Sequence, residues 1–147
     1  MAGLMWILLS LCSAVAAAAV ATLSKTGLAK VDSSLGFAVQ ALVILVTTWI
    51  YVGVTGKSRD LTSIEPRAWA YLVGAGIVSS VAYLFYFAAI KSGDVSRVAP
   101  IDRLSLVFAM VFAVMFLGEK VNAPAIFGAA LMGIGALIIA VSSAGAK

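Results

Sequence analysis

Apolar residues run along the chain in five long blocks, covering residues 3–23, 35–54, 68–90, 98–117 and 123–143, with polar and charged residues gathered between them. In a bilayer every backbone N–H and C=O must be satisfied within the segment, so an apolar run of about 20 residues predicts a transmembrane helix. At 1.5 Å rise per residue such a run reaches roughly 30 Å, the thickness of the hydrocarbon layer. Four of the five blocks contain no formal charge, and the fourth carries Asp102 and Arg103 near its start. The expected fold class is therefore all-α: a polytopic integral membrane protein of five transmembrane helices joined by short loops, with residues 1–147 forming a single five-helix unit.

The loops are too short for a separate soluble domain and make successive helices antiparallel neighbours. They carry Lys25, Lys30 and Asp32, then Lys57, Arg59, Asp60, Glu65 and Arg67, then Lys91, Asp94 and Arg97, and finally the turn Gly118-Glu119-Lys120-Val121-Asn122. Thr62 and Glu65 stand at capping-box spacing before Pro66, which predicts the start of the third helix. Trp49 and Tyr51 close the second span and Trp69 and Tyr71 open the third, as interfacial anchors do. Residues 17–21 imitate a signal-peptide cleavage site, but the region before them has no Lys or Arg and the apolar core is long. An uncleaved first helix is the expectation, with a cleaved four-span form as the alternative.

Composition fixes the solvent and narrows the chemistry. Of 147 residues 63% are hydrophobic and 11% charged, with a mean hydropathy of +1.14. A water-soluble fold of this size would leave wide apolar patches exposed. With no His and a single Cys, Cys12, the chain lacks the residues for a zinc site, a Ser-His-Asp triad or a disulfide framework. No enzyme activity, metal or cofactor is expected. The net charge of +4 comes from scattered Lys and Arg without a cluster, so no nucleic-acid partner is expected either. With five spans, Lys57, Arg59, Arg67, Lys120 and the terminal amine fall on one side, and Lys25, Lys30, Lys91, Arg97 and Lys147 on the other. That balance gives the positive-inside rule nothing to act on. Two readings remain: a single topology set by another feature, or a dual topology in which the chain pairs with its inverted copy.

Polar residues within the spans are the candidate site. Ser10, Ser13, Ala17, Ala21 and Ser24 share a small, weakly polar face of the first helix, and close helix packing explains such a face well. Gln40, Thr47 and Tyr51 form a stripe on the second, where the Gln40 amide must face protein or a wet cavity. Ser79, Tyr83, Tyr86 and Ile90 share a face of the third beside Phe85 and Phe87; tyrosine suits an amphipathic or cationic organic solute, and core packing accounts for the run nearly as well. In the fourth, Pro100 should begin or break a helix around residues 99–105, placing Asp102 where a proton-coupling carboxylate or an interfacial charge would sit. Ala125, Ala129 and Gly133 make the fifth helix the candidate for subunit packing. The residues expected to line a solute site are Gln40, Tyr83, Tyr86 and Asp102, with Asp102 the coupling candidate.

The order of these features resembles an EamA-type unit of the drug/metabolite transporter superfamily. The resemblance runs through Tyr86-Phe87-Ala88-Ala89-Ile90-Lys91-Ser92-Gly93, Val98-Ala99-Pro100-Ile101, Leu117-Gly118-Glu119-Lys120, Ile126-Phe127-Gly128-Ala129 and Gly133-Ile134-Gly135, with Ser24-Lys25-Thr26-Gly27-Leu28 upstream. It implies a secondary-type carrier of a small organic metabolite or drug, working by alternating access in a lipid bilayer, in the inner (cytoplasmic) membrane of a prokaryote. The usual family member has two such units in tandem, so a single unit implies a homodimer, inverted if the topology is dual, or an oppositely oriented homologous partner. The related small multidrug resistance proteins use a Glu in the first helix; here that helix has no carboxylate, which leaves Asp102 and Glu119 as the acidic candidates. The alternative function is a non-transporting membrane subunit that assembles with or stabilises another membrane protein.

Overall fold

The structure, a computed structural model, describes residues 2–144, so Lys147, one of the counted charges, lies outside the described residues. No strand occurs among them; the elements are α1 (Ala2–Gly27), α2 (Ser33–Val54), α3 (Pro66–Ser92), α4 (Val95–Asp102), α5 (Leu104–Phe112) and α6 (Ala123–Ala144). Five segments are long and apolar enough to cross a membrane: Leu4–Lys30, Ser33–Val54, Pro66–Ser92, Val95–Leu117 and Ala123–Ser142. The protein is an integral membrane protein. Large apolar side chains stay exposed along every span, which is the expected surface when the solvent is lipid. The chain divides into two compact units, Met1–Lys91 and Ser92–Lys147.

In the first unit, α1 continues beyond its apolar block through Lys25 to Gly27 and closes in a single 3-10 turn, Leu28–Lys30. Asp32 then caps α2 by accepting from the Ser34 N–H at 2.9 Å, the Leu35 N–H at 3.4 Å and the Ser34 hydroxyl, which satisfies donors that a helix start leaves without partners. The hydroxyl and the two amides hold the Asp32 carboxyl below its ordinary value, and the charge of Lys91 adds to them. Leu28 is 3% exposed, and its side chain lies where a Cβ on Gly36 of α2 would stand. The glycine is thus what lets the end of α1 settle onto the start of α2.

The expected capping box at the start of α3 does not form. Thr62 belongs to a 3-10 stretch, Lys57–Ser63, where its hydroxyl donates to the Arg59 carbonyl. Glu65 is the cap instead, its carbonyl accepting from the Trp69 N–H at 3.1 Å, and Pro66 opens the helix. Pro fits there because the first-turn N–H it lacks would have had no helical acceptor.

In the second unit the fourth span is broken, as Pro100 predicts. Asp94 starts α4, its carbonyl accepting from the N–H groups of Arg97 and Val98. Pro100 sits within α4, which stops at Asp102 and restarts as α5 after Arg103. The span ends in a wider turn, Ala113–Leu117, closed where Gly118 and Glu119 both donate to the Ala113 carbonyl. Gly118 has φ 68°, a left-handed conformation that glycine adopts without steric penalty. Asn122 caps α6 by accepting from the Ala125 N–H at 3.0 Å.

The small residues of α6 meet the chain's own fourth span. A Cβ on Gly133 would stand 3.8 Å from Val107 of α5, and Ala125, Gly128, Ala129 and Met132 line a cleft of 220 Å³ with Leu106, Val107 and Met110. This face packs against the chain's own fourth span, because small side chains let two backbones approach whichever chain they belong to.

Two outcomes follow. Gly36→Val forces Leu28 out of its place and should destabilise the first unit by about 1–3 kcal/mol, the usual cost of overpacking, read as a lower melting temperature in detergent. Asp32→Ala should also lower the melting temperature at neutral pH. Because the folded-state pKa of Asp32 is depressed, its contribution is complete above the ordinary carboxylate value and vanishes as pH falls through the lowered one. The gap between parent and variant should therefore close in acid; a gap that persists there would contradict the capping role.

Candidate functional site

A hydroxyl inside a lipid-facing helix meets its hydrogen-bonding need most cheaply on the carbonyl one turn back. Ser10 donates to the Trp6 carbonyl, Thr22 to Ala18, Thr26 to Thr22, Thr47 to Val43 and Ser80 to Gly76, all between 2.7 and 3.1 Å. Thr47, expected in a polar stripe with Gln40, is thereby turned onto its own helix, and Tyr51 is exposed at 64%.

Ser24 and Gln40 behave differently. The Ser24 hydroxyl of α1 donates to Gln40 Oε1 of α2 at 3.2 Å, and both residues are half-buried. Of the predicted face of α1, Ala21 is 2% exposed and Ala17 and Ser24 are half-buried, whereas Ser10 and Ser13 are exposed. The Gln40 amide retains two N–H donors besides the oxygen that accepts from Ser24. Three residues before Gln40, Phe37 stacks on Tyr83 of α3 with ring centroids 5.5 Å apart and planes 15° from parallel, and meets Phe87 at the same separation in a tilted arrangement. Tyr86 is half-buried and touches Phe87 edge-on at 6.4 Å.

In the first unit Tyr83 of the predicted lining stacks on Phe37, three residues before Gln40 on α2, and Tyr86 lies beside Phe87. One ring face of Tyr83 is taken by Phe37, while the side chain remains 42% exposed. The result is an aromatic surface with a phenol and an amide near its edge, chemistry that suits a flat or cationic organic group needing few hydrogen bonds. Phe37 and Ser24 complete this cluster. Phe37 carried a signal, since a position three residues from Gln40 falls on the same helix face.

At the end of the same unit, Lys25 Nζ donates to the Ile90 carbonyl at 2.8 Å and the Lys91 carbonyl at 3.3 Å, while Lys91 Nζ donates to the Val31 carbonyl at 2.8 Å. Lys25 is part of α1 and half-buried, although the apolar pattern placed it in a loop.

Asp102, in the second unit, is exposed and ends α4 at the break, with Arg103 at the junction. Asp94 and Arg97 form an exposed ion pair at 3.6 Å one turn into α4, of little energetic weight in such a setting. Among the described residues no group of three or more His, Cys, Asp or Glu is arranged to hold a metal ion.

The sequence pattern of the EamA-like transporter family matches residues 4–141, nearly the whole chain. The chain belongs to the EamA-like transporter family. A curated relative from Sinorhizobium sp., named an uncharacterized transporter in the cobO 3′ region, is 38% identical over 136 residues, covering 92% of this chain and 96% of the relative. No solved structure matches. Membership agrees with the earlier resemblance and points to a membrane transporter.

The stacked pair gives a direct check on this geometry. In a double-mutant cycle of Phe37→Leu and Tyr83→Leu, followed by thermal unfolding in detergent, the two residues should couple by about 0.5–1.5 kcal/mol. Additive effects would mean that the rings do not touch.

Proposed function

We propose that the chain is a secondary-type carrier of a small organic metabolite or drug, working by alternating access as an inverted homodimer in the inner membrane of a prokaryote. Membership of the EamA-like transporter family over residues 4–141 is the observation that carries the reading. The Sinorhizobium relative supports the single-unit form, because the match takes in 96% of its length and it is itself named a transporter. The balance of Lys and Arg between the two sets of loops supports insertion in both orientations. Pairing with an inverted copy would then supply the two-fold relation on which alternating access commonly rests.

Solute contact is assigned to Gln40, Tyr83 and Tyr86, and coupling to Asp102. Tyrosine rings and an amide favour a solute with a flat apolar or cationic part and a single group that accepts or donates a hydrogen bond. Asp102 stands where α4 stops, at the break in the fourth span, and interrupted helices are a setting transporters use for coupling ions. Its role is to take up a proton on one side and release it on the other.

The experiment is uptake of tetraphenylphosphonium, a lipophilic aromatic cation, into proteoliposomes with a pH-sensitive dye inside. Asp102→Asn should insert normally and lose proton-coupled uptake by at least tenfold. Undiminished coupled uptake would remove Asp102 from the mechanism, and absence of saturable uptake in the parent would remove aromatic cations as the solute class.

A further inference from the structure

In the first half of α2, Ser33, Gly36, Phe37, Gln40 and Ala41 are half-buried, and the residues between them are exposed. Spacings of three and four residues place them on one face, so Gln40 belongs to the packed side of α2 and not to the side turned to lipid. On α1 the packed face runs through Ala17, Ala21, Ser24 and Leu28, each half-buried or buried. Ser24 and Gln40 meet where these two faces come together. Gln40 lies seven residues inside the start of α2, about 10 Å along the helix and therefore within the apolar span.

The direction of the hydrogen bond between them decides what the amide offers. A serine hydroxyl has one proton to give. Ser10, Thr22, Thr26, Thr47 and Ser80 give theirs to carbonyls of their own helices, whereas Ser24 gives its proton across to Gln40 Oε1. Oxygen and nitrogen stand on opposite arms of the planar amide, so turning Oε1 to Ser24 turns Nε2, with its two N–H donors, away from it. Among the described residues no buried side-chain nitrogen or oxygen lacks a partner, and Gln40 is bonded through its oxygen, so Nε2 reaches the surface of the unit. N–H donors at that depth are costly without an acceptor. On the same face, three residues earlier and about 4.5 Å along the helix, Phe37 stacks on Tyr83 and meets Phe87. A single aromatic ring with one polar substituent spans that rise.

We propose that Ser24 is a specificity-determining residue: by holding Gln40 Oε1 it presents Nε2 to the solute, and the carrier selects flat organic molecules that bear a carbonyl-type acceptor oxygen over those that bear none. The inference rests on the carrier reading and narrows its solute from one that accepts or donates to one that accepts. Ser24 acts through Gln40 as a positioning residue and does not touch solute. An amide set the other way round would turn its oxygen outward and give an acceptor-bearing solute no advantage.

The test is the binding of two aromatic cations to the full chain in nanodiscs of phosphatidylethanolamine and phosphatidylglycerol, measured by isothermal titration calorimetry. The probes, 1-methyl-3-acetylpyridinium and 1-methyl-3-ethylpyridinium, share charge and shape and differ in a carbonyl against a methylene. The parent should bind the acetyl probe about fivefold more tightly, the ratio expected of one net hydrogen bond. Gln40→Met keeps the length of the side chain and loses the donors, so it should bring the two Kd values together by weakening the acetyl probe. Ser24→Ala should at least halve the ratio, and Ser24→Thr, which keeps the hydroxyl, should hold it near the parent value. A merely structural role for Ser24 would weaken both probes alike and leave the ratio unchanged, which would overturn the proposal. Equal affinities in the parent would overturn it while leaving the aromatic-cation reading in place, and so would a ratio that survives Gln40→Met. Binding of neither probe would overturn the proposal together with that reading. If Ser24→Ala does not insert, Gln40→Met decides the case.

Discussion

In a bilayer no water is available to a stray N–H or C=O, and this constraint organises the chain from its helix count to its candidate site. It is why the apolar blocks are helices, why Ser and Thr hydroxyls fold back onto carbonyls one turn away, and why the helix ends are finished so carefully. Asp32 and Asn122 satisfy the opening turns of α2 and α6, Gly118 closes the fourth span, and Lys25 supplies the end of α3. Polar groups that bond from one helix to another stand out against this background. Ser24 with Gln40, Lys25 with α3 and Lys91 with the loop before α2 are such groups, and all lie in the first unit.

The two units meet the constraint by different means. The second brings helices together through small residues: Gly133 lies against Val107, and Ala125, Gly128 and Ala129 face the fourth span. Close backbone approach of this kind gives dispersion contacts along a helix and needs no polar groups. The first relies on polar ties and a few buried side chains at one end, leaving long stretches of α2 and α3 for lipid, partner or solute. Membership of the EamA-like transporter family gives that arrangement a function to serve.

The span count was legible in the sequence because hydrophobic length is a one-dimensional property that the bilayer reads directly. The break after Pro100 was legible for an equally local reason, the missing donor. Helix ends were less so. Lys25 looks like a loop residue in a hydropathy pattern, yet it extends α1 because its ammonium has carbonyls to meet 65 residues further along the chain. Thr62 has capping-box spacing, but the 3-10 turn that follows Gly56 claims its hydroxyl first. Gln40 was picked out by its amide, whereas its partner Ser24 lay in a face that packing alone explained. Phe37 shares the Gln40 face by its spacing, but one phenylalanine in an apolar helix acquires meaning only with Tyr83 stacked on it. For the small residues of α6, sequence indicated a close approach without indicating which helix approaches.

The central claim is that a chain of one such unit becomes a carrier by pairing with its own inverted copy. The most direct measurement is a topology assay with two reporters fused beyond Lys147, one active only in the cytoplasm and the other only outside it. Comparable signal from both fusions is the predicted result, since the loop charges favour neither orientation. Signal from one reporter alone would contradict the inverted homodimer.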